Sequence, residues 1–210
     1  FTPLRSATEI DAEAVKKIVK DEYEAAGMTP ADLSTGAVII TGETARKQNA
    51  NEVLEALSDF AGDFVVATAG PDLESVLAAR GAGTDTISEE HRTAVANLDV
   101  GGGTTNIAVY QKGTLRGVCC LDIGGRLIKI TDGKISYIFH KTKKLAEDHG
   151  ITIAVGDRAD EDKLYRICCL MADELAKSLH LLPADEAHKA LYTNDGAMLP
   201  QEPKLLAVTY

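Results

Sequence analysis

The chain has no excess of positive charge. Its 22 Lys and Arg stand against 32 Asp and Glu, for a formal net charge of −10. That leaves no basic stripe to follow a phosphodiester backbone, and it argues against a nucleic-acid binder. No apolar run approaches the ~20 residues of a membrane span, so no membrane partner is expected. No signal-peptide pattern is visible at the start of the sequence. The five histidines are scattered, without an H-E-x-x-H or similar ligand set. The four cysteines form two vicinal pairs, Cys119-Cys120 and Cys168-Cys169, and neither pair has the C-x-x-C spacing of a zinc or redox site. They are expected to be small apolar filler in a reducing cytoplasm. Repeats and low-complexity segments are also missing.

What remains is ordinary for a soluble globular protein: 45% hydrophobic and 26% charged residues over 210 positions. That is enough to bury a substantial core in one or two domains. Ser6-Ala7-Thr8-Glu9 has the form of a capping box and predicts a helix running to about Gly27. Met28 to Leu33 reads as a short helical turn with Pro30 at its first position. Ala37 to Thr41 and Phe64 to Thr68 are apolar runs that read as buried strands. A helix is predicted from the turn at Gly42-Glu43-Thr44 through Leu57, and another from about Asp72 to Arg80. This β-α-β-α alternation implies parallel strands covered by helices.

The pattern changes after Gly81-Ala82-Gly83-Thr84. Val95 to Val100, Thr105 to Gln111 and Thr114 to Asp122 are three strands joined by short turns, an antiparallel meander. A turn at Asp132-Gly133 and a strand through Phe139 follow. Arg158 to Leu182 predicts a long helix with Leu164, Ile167, Leu170, Met171, Leu175 and Leu179 in register, and Pro183 is expected to open one more. The acidic cluster from Asp157 to Asp162 fits a helix start better than a metal site. Glu43, Arg46 and Lys47 fit a solvated first helical turn, with a cleft-facing or partner-facing role as the alternative. The chain opens on Phe1 and closes on a strand-like run, Leu205 to Tyr210, so a piece of a longer protein is expected.

The segment richest in chemistry runs from Asp99 through Val100, Gly101, Gly102, Gly103, Thr104 and Thr105 to Asn106. Glycines let backbone N–H groups approach an anion without a Cβ in the way. Threonine hydroxyls add donors for terminal phosphate oxygens. An Asp at the strand end repels phosphate directly, but it can hold water on a Mg²⁺ or polarise an attacking water. A purely structural hairpin needs only two turn residues. No Lys follows, as a Walker A loop requires. A strand, not a helix, leaves the glycines, which excludes a Rossmann fingerprint.

These residues resemble the second phosphate motif of the actin, Hsp70 and sugar-kinase ATPase superfamily. Leu121-Asp122-Ile123-Gly124-Gly125 looks like the Gly-Gly that follows this motif, and Gly70-Pro71 with Ser75-Val76-Leu77-Ala78-Ala79 sits where the superfamily has its connecting helix. The likeness covers about residues 36–140. It implies an α/β, actin-like (ribonuclease H-like) fold: a mixed sheet with the three-strand meander and flanking helices, incomplete here. Residues 1–90 would then end the first ATPase subdomain and 91–210 begin the second. At closer range Ile39 to Lys47, Ala69 to Val76 and Ala96 to Asp99 are similar to the reactivating factors of ethanolamine ammonia-lyase.

That resemblance implies a chaperone-like protein using ATP and Mg²⁺ to release damaged cobalamin from the lyase. It also implies a cytoplasmic location, association with an ethanolamine microcompartment, and a homo-oligomer among the expected assemblies. Asp99 would be the catalytic Asp and would hold Mg²⁺ through water. Gly101, Gly102, Gly103, Thr104, Thr105 and Asn106 would bind phosphate, and Gly124 and Gly125 would line the cleft. Two departures point to slow turnover: Asn106 where relatives often carry an acid, and Gly70 where they tend to have Glu. A first phosphate hairpin and an adenosine-binding Gly-Gly do not occur between residues 1 and 210. Half of the clamp is then missing, and weak ATP binding is expected of these residues alone. A small-molecule kinase or phosphohydrolase and a non-catalytic binding module are the alternatives, since a fold does not decide among them. Direct cobalamin ligation is not expected, because no Asp-x-His-x-x-Gly motif is present.

Overall fold

A computed structural model of the chain describes residues 2–6, 8–34, 36–40, 47–61, 64–68, 70–193, 199 and 207–209. It divides into two compact units, Phe1–Gly70 and Pro71–Tyr210.

In the first unit, α1 (Ala12–Ala26) starts later than its expected capping box. The Asp11 carboxylate accepts the Ala14 N–H at 3.0 Å and caps the helix. Upstream, Arg5 N–H donates to the Glu9 carbonyl and Leu4 bridges Ile10, so the Ser6–Glu9 stretch is a turn before the helix. Residue 7 of that motif lies outside the described residues. Gly27 ends α1 and a 3-10 turn follows at Pro30–Asp32, with Pro at its first position as expected. Strands β1 (Gly36–Ile40) and β2 (Phe64–Thr68) pair in parallel, with Gly36 opposite Phe64 and Ile40 opposite Thr68. Helix α2 (Ala50–Ala61) packs on both. Its Ala50, Val53, Leu54 and Leu57 form a core with Ile10 and Ile40. Asn49 fixes Ile10 from both sides: its Oδ1 accepts the Ile10 N–H at 2.8 Å and its Nδ2 donates to the Ile10 carbonyl at 2.9 Å. The expected turn at residues 42–44, with Glu43 and Arg46, lies outside the described residues.

The second unit is built on the expected meander. Strands β3 (Ala94–Val100), β4 (Thr105–Gln111) and β5 (Thr114–Leu121) are antiparallel neighbours, and β8 (Ala207–Thr209) joins β3 in parallel, giving a mixed sheet in the order β5-β4-β3-β8. Helices α3 (Pro71–Gly81) and α4 (Thr84–Glu90) pack on the face carrying Ala108 and Tyr110. The segment at Gly83-Thr84, which reads in sequence as a plain lead into the meander, is the start of α4. The Ser88 hydroxyl of α4 donates to the Asp85 carbonyl and accepts the Gly113 N–H at 3.0 Å, pinning the helix to the β4–β5 turn. The opposite face presents Ala96, Ile107, Val109, Cys119 and Leu121 to Leu179, Leu191 and Tyr192.

Beyond the sheet, β6 (Ile128–Thr131) and β7 (Lys134–Ile138) form a hairpin around the expected turn. Asp132 and Gly133 both take positive φ, 51° and 71°, which is the geometry of a two-residue type I′ turn. Ile135 then packs with Ala146, Ile151, Ile153 and Ile167, drawn from α5 (His140–Asp148), the following loop and α6 (Glu161–Ser178). Helix α6 keeps the expected register but is shorter than Arg158–Leu182. Asp160 caps it through the Lys163 N–H at 3.0 Å, and Glu161 and Asp162 fill its first turn, so the acidic cluster serves the helix start. The helix expected at Pro183 is instead α7 (Glu186–Lys189), because Asp185 supplies the cap.

Candidate functional site

Strands β3 and β4 meet at a four-residue tip, Gly101 to Thr104. Gly101 N–H donates to the Thr104 carbonyl at 2.8 Å and closes the loop. The N–H groups of Gly102, Gly103 and Thr104 have no acceptor among the described residues. Consecutive unpaired amides at a glycine turn form a concave, partly positive surface that suits an anion. Gly101 is exposed, Gly102 and Gly103 are half-buried, and the Thr104 and Thr105 side chains are buried.

The second glycine motif lies directly against this tip. Gly125 N–H donates to the Gly101 carbonyl at 2.9 Å, and Arg126 N–H donates to the Gly102 carbonyl at 2.7 Å. A Cβ on Gly124 would sit 2.6 Å from the Gly102 carbonyl carbon and oxygen and 2.7 Å from the Gly103 nitrogen. Only glycine permits that approach. At Gly125 the nearest such contact is 4.0 Å, an ordinary one. The Thr105 hydroxyl donates to the Ile123 carbonyl at 2.8 Å in a fully buried bond. Gly101–Thr105 and Ile123–Arg126 are therefore one interlocked body. Within it the Thr105 hydroxyl and the Gly125 amide hold the loops together, while Gly102, Gly103 and Thr104 keep donors in reserve.

Asp99 and Asn106 are directly opposite in the β3–β4 register, so their side chains share a face. Asp99 is half-buried and Asn106 is 3% exposed. The Asn106 Oδ1 is buried with no hydrogen-bond partner among the described residues, an arrangement that costs about 1–3 kcal/mol unless a donor reaches it. No group of three or more His, Cys, Asp or Glu able to hold a metal occurs among the described residues. A lone carboxylate beside an orphan acceptor suits Mg²⁺, which keeps its waters and is shared with phosphate oxygens, better than an all-protein metal cage.

The cradle is buttressed from behind. Asp122 is buried, and Lys141, at the start of α5, donates to its Oδ2 at 2.6 Å. Asp122 N–H donates to the Leu191 carbonyl at 2.8 Å, Thr193 N–H to the Cys120 carbonyl at 2.9 Å, and Leu121 bridges Tyr192. Residues 191–193 thus pair along the end of β5, immediately before the glycine loop. A buried polar chain holds them there. The His188 Nδ1 lies 2.7 Å from Glu174 Oε2, and its Nε2 lies 3.1 Å from the Tyr192 hydroxyl. Glu174 Oε1 also accepts from Lys177 at 2.7 Å, and Lys177 reaches Asp185 at 2.8 Å. An ionised carboxylate only accepts, so His188 Nδ1 donates to it. Burial pushes the Glu174 carboxyl up, but hydrogen bonds and charge from His188 and Lys177 outweigh it and hold the group below its ordinary range. Burial holds the Tyr192 hydroxyl above the usual tyrosine range, so it keeps its proton.

Sequence reasoning missed Glu174, His188, Tyr192 and Lys141. The signal for the first was a charged residue seven positions after Ile167, inside the apolar stripe of α6. The two cysteine pairs also separate. Cys119 and Cys120 are buried on β5, and burial, with the charges of Cys120 and Asp72, pushes the Cys119 thiol up to about 12. Cys168 and Cys169 are exposed on α6 and are not core filler, because that helix turns both toward water.

Fold and site together define an α/β protein carrying a glycine-threonine hairpin clamped by a Gly-Gly loop. Residues 1–209 match the family described as ethanolamine utilisation protein EutA, and the chain belongs to that family. It is 44% identical to the ethanolamine ammonia-lyase reactivase EutA of Salmonella typhimurium over a 212-residue alignment, covering 93% of this chain and 45% of that protein. It is 43% identical to the Escherichia coli protein of the same name over 149 residues, 70% of this chain and 32% of that one. The chain thus spans less than half the length of these curated relatives. Among solved structures, a Ppx/GppA family member from Aquifex aeolicus is similar at 18% identity and a TM-score of 0.46, covering 88% of this chain and 59% of that one. Among the described residues, no helix is long and apolar enough to cross a membrane.

Proposed function

We propose that the chain carries one phosphate-binding half of an ATP-dependent, chaperone-like reactivating factor. The factor releases damaged cobalamin from ethanolamine ammonia-lyase so that intact adenosylcobalamin can bind. The observation that carries the nucleotide half of this reading is the interlocked cradle, with three amides left without acceptors at its tip. Membership of the EutA family, whose curated relatives are named ethanolamine ammonia-lyase reactivases, supports the lyase half. Gly102, Gly103 and Thr104 would offer amides to terminal phosphate oxygens. Asp99 would hold a water of a phosphate-bound Mg²⁺, which neutralises phosphate charge when bound. Asn106 in place of an acid supplies a dipole and no charge, which suits slow turnover and a conformational switch.

Releasing a cofactor needs no cobalamin ligand on the factor. A protein that binds the open lyase more tightly than the closed one shifts it toward opening. ATP and ADP would set the factor between tight and weak lyase-binding states, in the cytoplasm and in association with an ethanolamine microcompartment.

The test uses the full-length protein with lyase inactivated by a damaged cobalamin, plus ATP, Mg²⁺ and fresh cofactor. Activity should return, and omitting ATP or substituting Asp99→Ala should prevent it. Recovery that is equal without nucleotide would refute the reading.

A further inference from the structure

We infer that Arg126 is a phosphate-contacting residue of this cradle, a role that rests on the nucleotide reading above. The amides of Gly125 and Arg126 are occupied by the Gly101 and Gly102 carbonyls, and Gly124 is pressed against the Gly102–Gly103 backbone. Two of this loop's amides thus serve to shape the tip, and the side chain that the loop lays against the tip is that of Arg126. The Arg126 side chain runs across the tip: its Cδ, Cγ and Cβ come within 3.3, 3.7 and 3.8 Å of the position a Cβ on Gly102 would take. The residue is exposed at the mouth of the loop. A planar guanidinium with five donors suits bidentate contact with phosphate oxygens.

Charge gives the second reason. A nucleoside triphosphate arrives with several negative charges beside Asp99, and no Walker-type lysine follows the glycines. Asp122, the other carboxylate leading into the cradle, is already paired with Lys141. Arg126 brings a cation to the glycine tip itself. Terminal phosphates seated on the amides of Gly102 to Thr104 come within its reach. The contact favours di- and triphosphates over a monophosphate.

The experiment titrates full-length protein with ATP and with AMP, for wild type, Arg126→Gln and Arg126→Lys, with thermal unfolding recorded for each. A lost charged hydrogen bond should weaken ATP binding by roughly ten- to a hundredfold in the Gln variant, with AMP binding little changed and Lys recovering part of the loss. ATP affinity unchanged in Arg126→Gln, or an equal loss for ATP and AMP, would overturn the assignment. A wild-type protein that binds no ATP would refute the underlying nucleotide reading and the inference with it. That outcome is distinct, since it shows before any variant is compared.

Discussion

Two polar centres of the second unit solve opposite problems. The cradle is made of two short backbone segments, and its Gly102–Thr104 tip keeps three amides without partners among the described residues, where the Asn106 oxygen also has none. The Glu174–His188–Tyr192 chain is made of side chains from α6, α7 and the segment after it, and each named group has a partner at 2.7–3.1 Å. Unmet hydrogen-bonding capacity is a standing cost, and it is reasonable only where a ligand or solvent meets it. A satisfied buried network is a fastener. The difference supports the binding role proposed for the first and gives the second a positioning role, since the fastener ends at residues 191–193, which pair with the strand end that leads into the glycine loop.

The comparison breaks most visibly at Glu174. Replacing it with Ala leaves the buried His188 ring without its acceptor and takes from Lys177 one of its two carboxylate partners, Asp185 remaining; a buried polar group left unsatisfied in this way costs about 3 kcal/mol. Chemical denaturation should show this as a shifted midpoint. The next effect is acid sensitivity. The Glu174 carboxyl is held below its ordinary range, so its contribution to stability is complete above the unfolded value and is lost as pH falls through the folded one. Stability of Glu174→Gln should therefore fall less between neutral and mildly acidic pH than that of the wild type. An equal decline would show that other groups carry the acid response. Tyr192→Phe should cost less, about 1 kcal/mol, by removing one neutral hydrogen bond. The smallest perturbation leaves the fold alone: in native protein, iodoacetamide should label Cys168 and Cys169 and spare Cys119 and Cys120. Rapid labelling of the buried pair would show that β5 opens readily.

The two centres also differ in how much of them could be read before folding. The cradle was legible because its parts are short contiguous motifs, Asp99 to Asn106 and Asp122 to Gly125, and apolar runs joined by very short turns mark the meander. The hydrogen-bond economy within it was not legible. Thr105 looks like a phosphate donor in sequence, yet its hydroxyl faces Ile123, because β4 turns that side chain inward. Helix α4 was missed because Thr84–Glu90 carries one large apolar residue and so no period, and α5 because His140–Asp148 is mostly charged. The fastener joins residues 174, 188 and 192 through tertiary packing, which no local pattern encodes. At the first helix a local rule competed with a better one: the Asp11 cap prevailed over the Ser6 capping box.

Gly124 and Gly125 supply the most direct test of the central claim, that the interlocked loops form a phosphate site. Gly124→Ala forces a Cβ to 2.6 Å from the Gly102 carbonyl and must displace the tip, whereas Gly125→Ala meets nothing closer than 4.0 Å. Equilibrium titration of the full-length protein with Mg-ATP should show at least about a tenfold loss for Gly124→Ala, of the size expected when one charged hydrogen bond is removed, and a much smaller change for Gly125→Ala. Equal ATP affinity in Gly124→Ala and wild type would contradict the account.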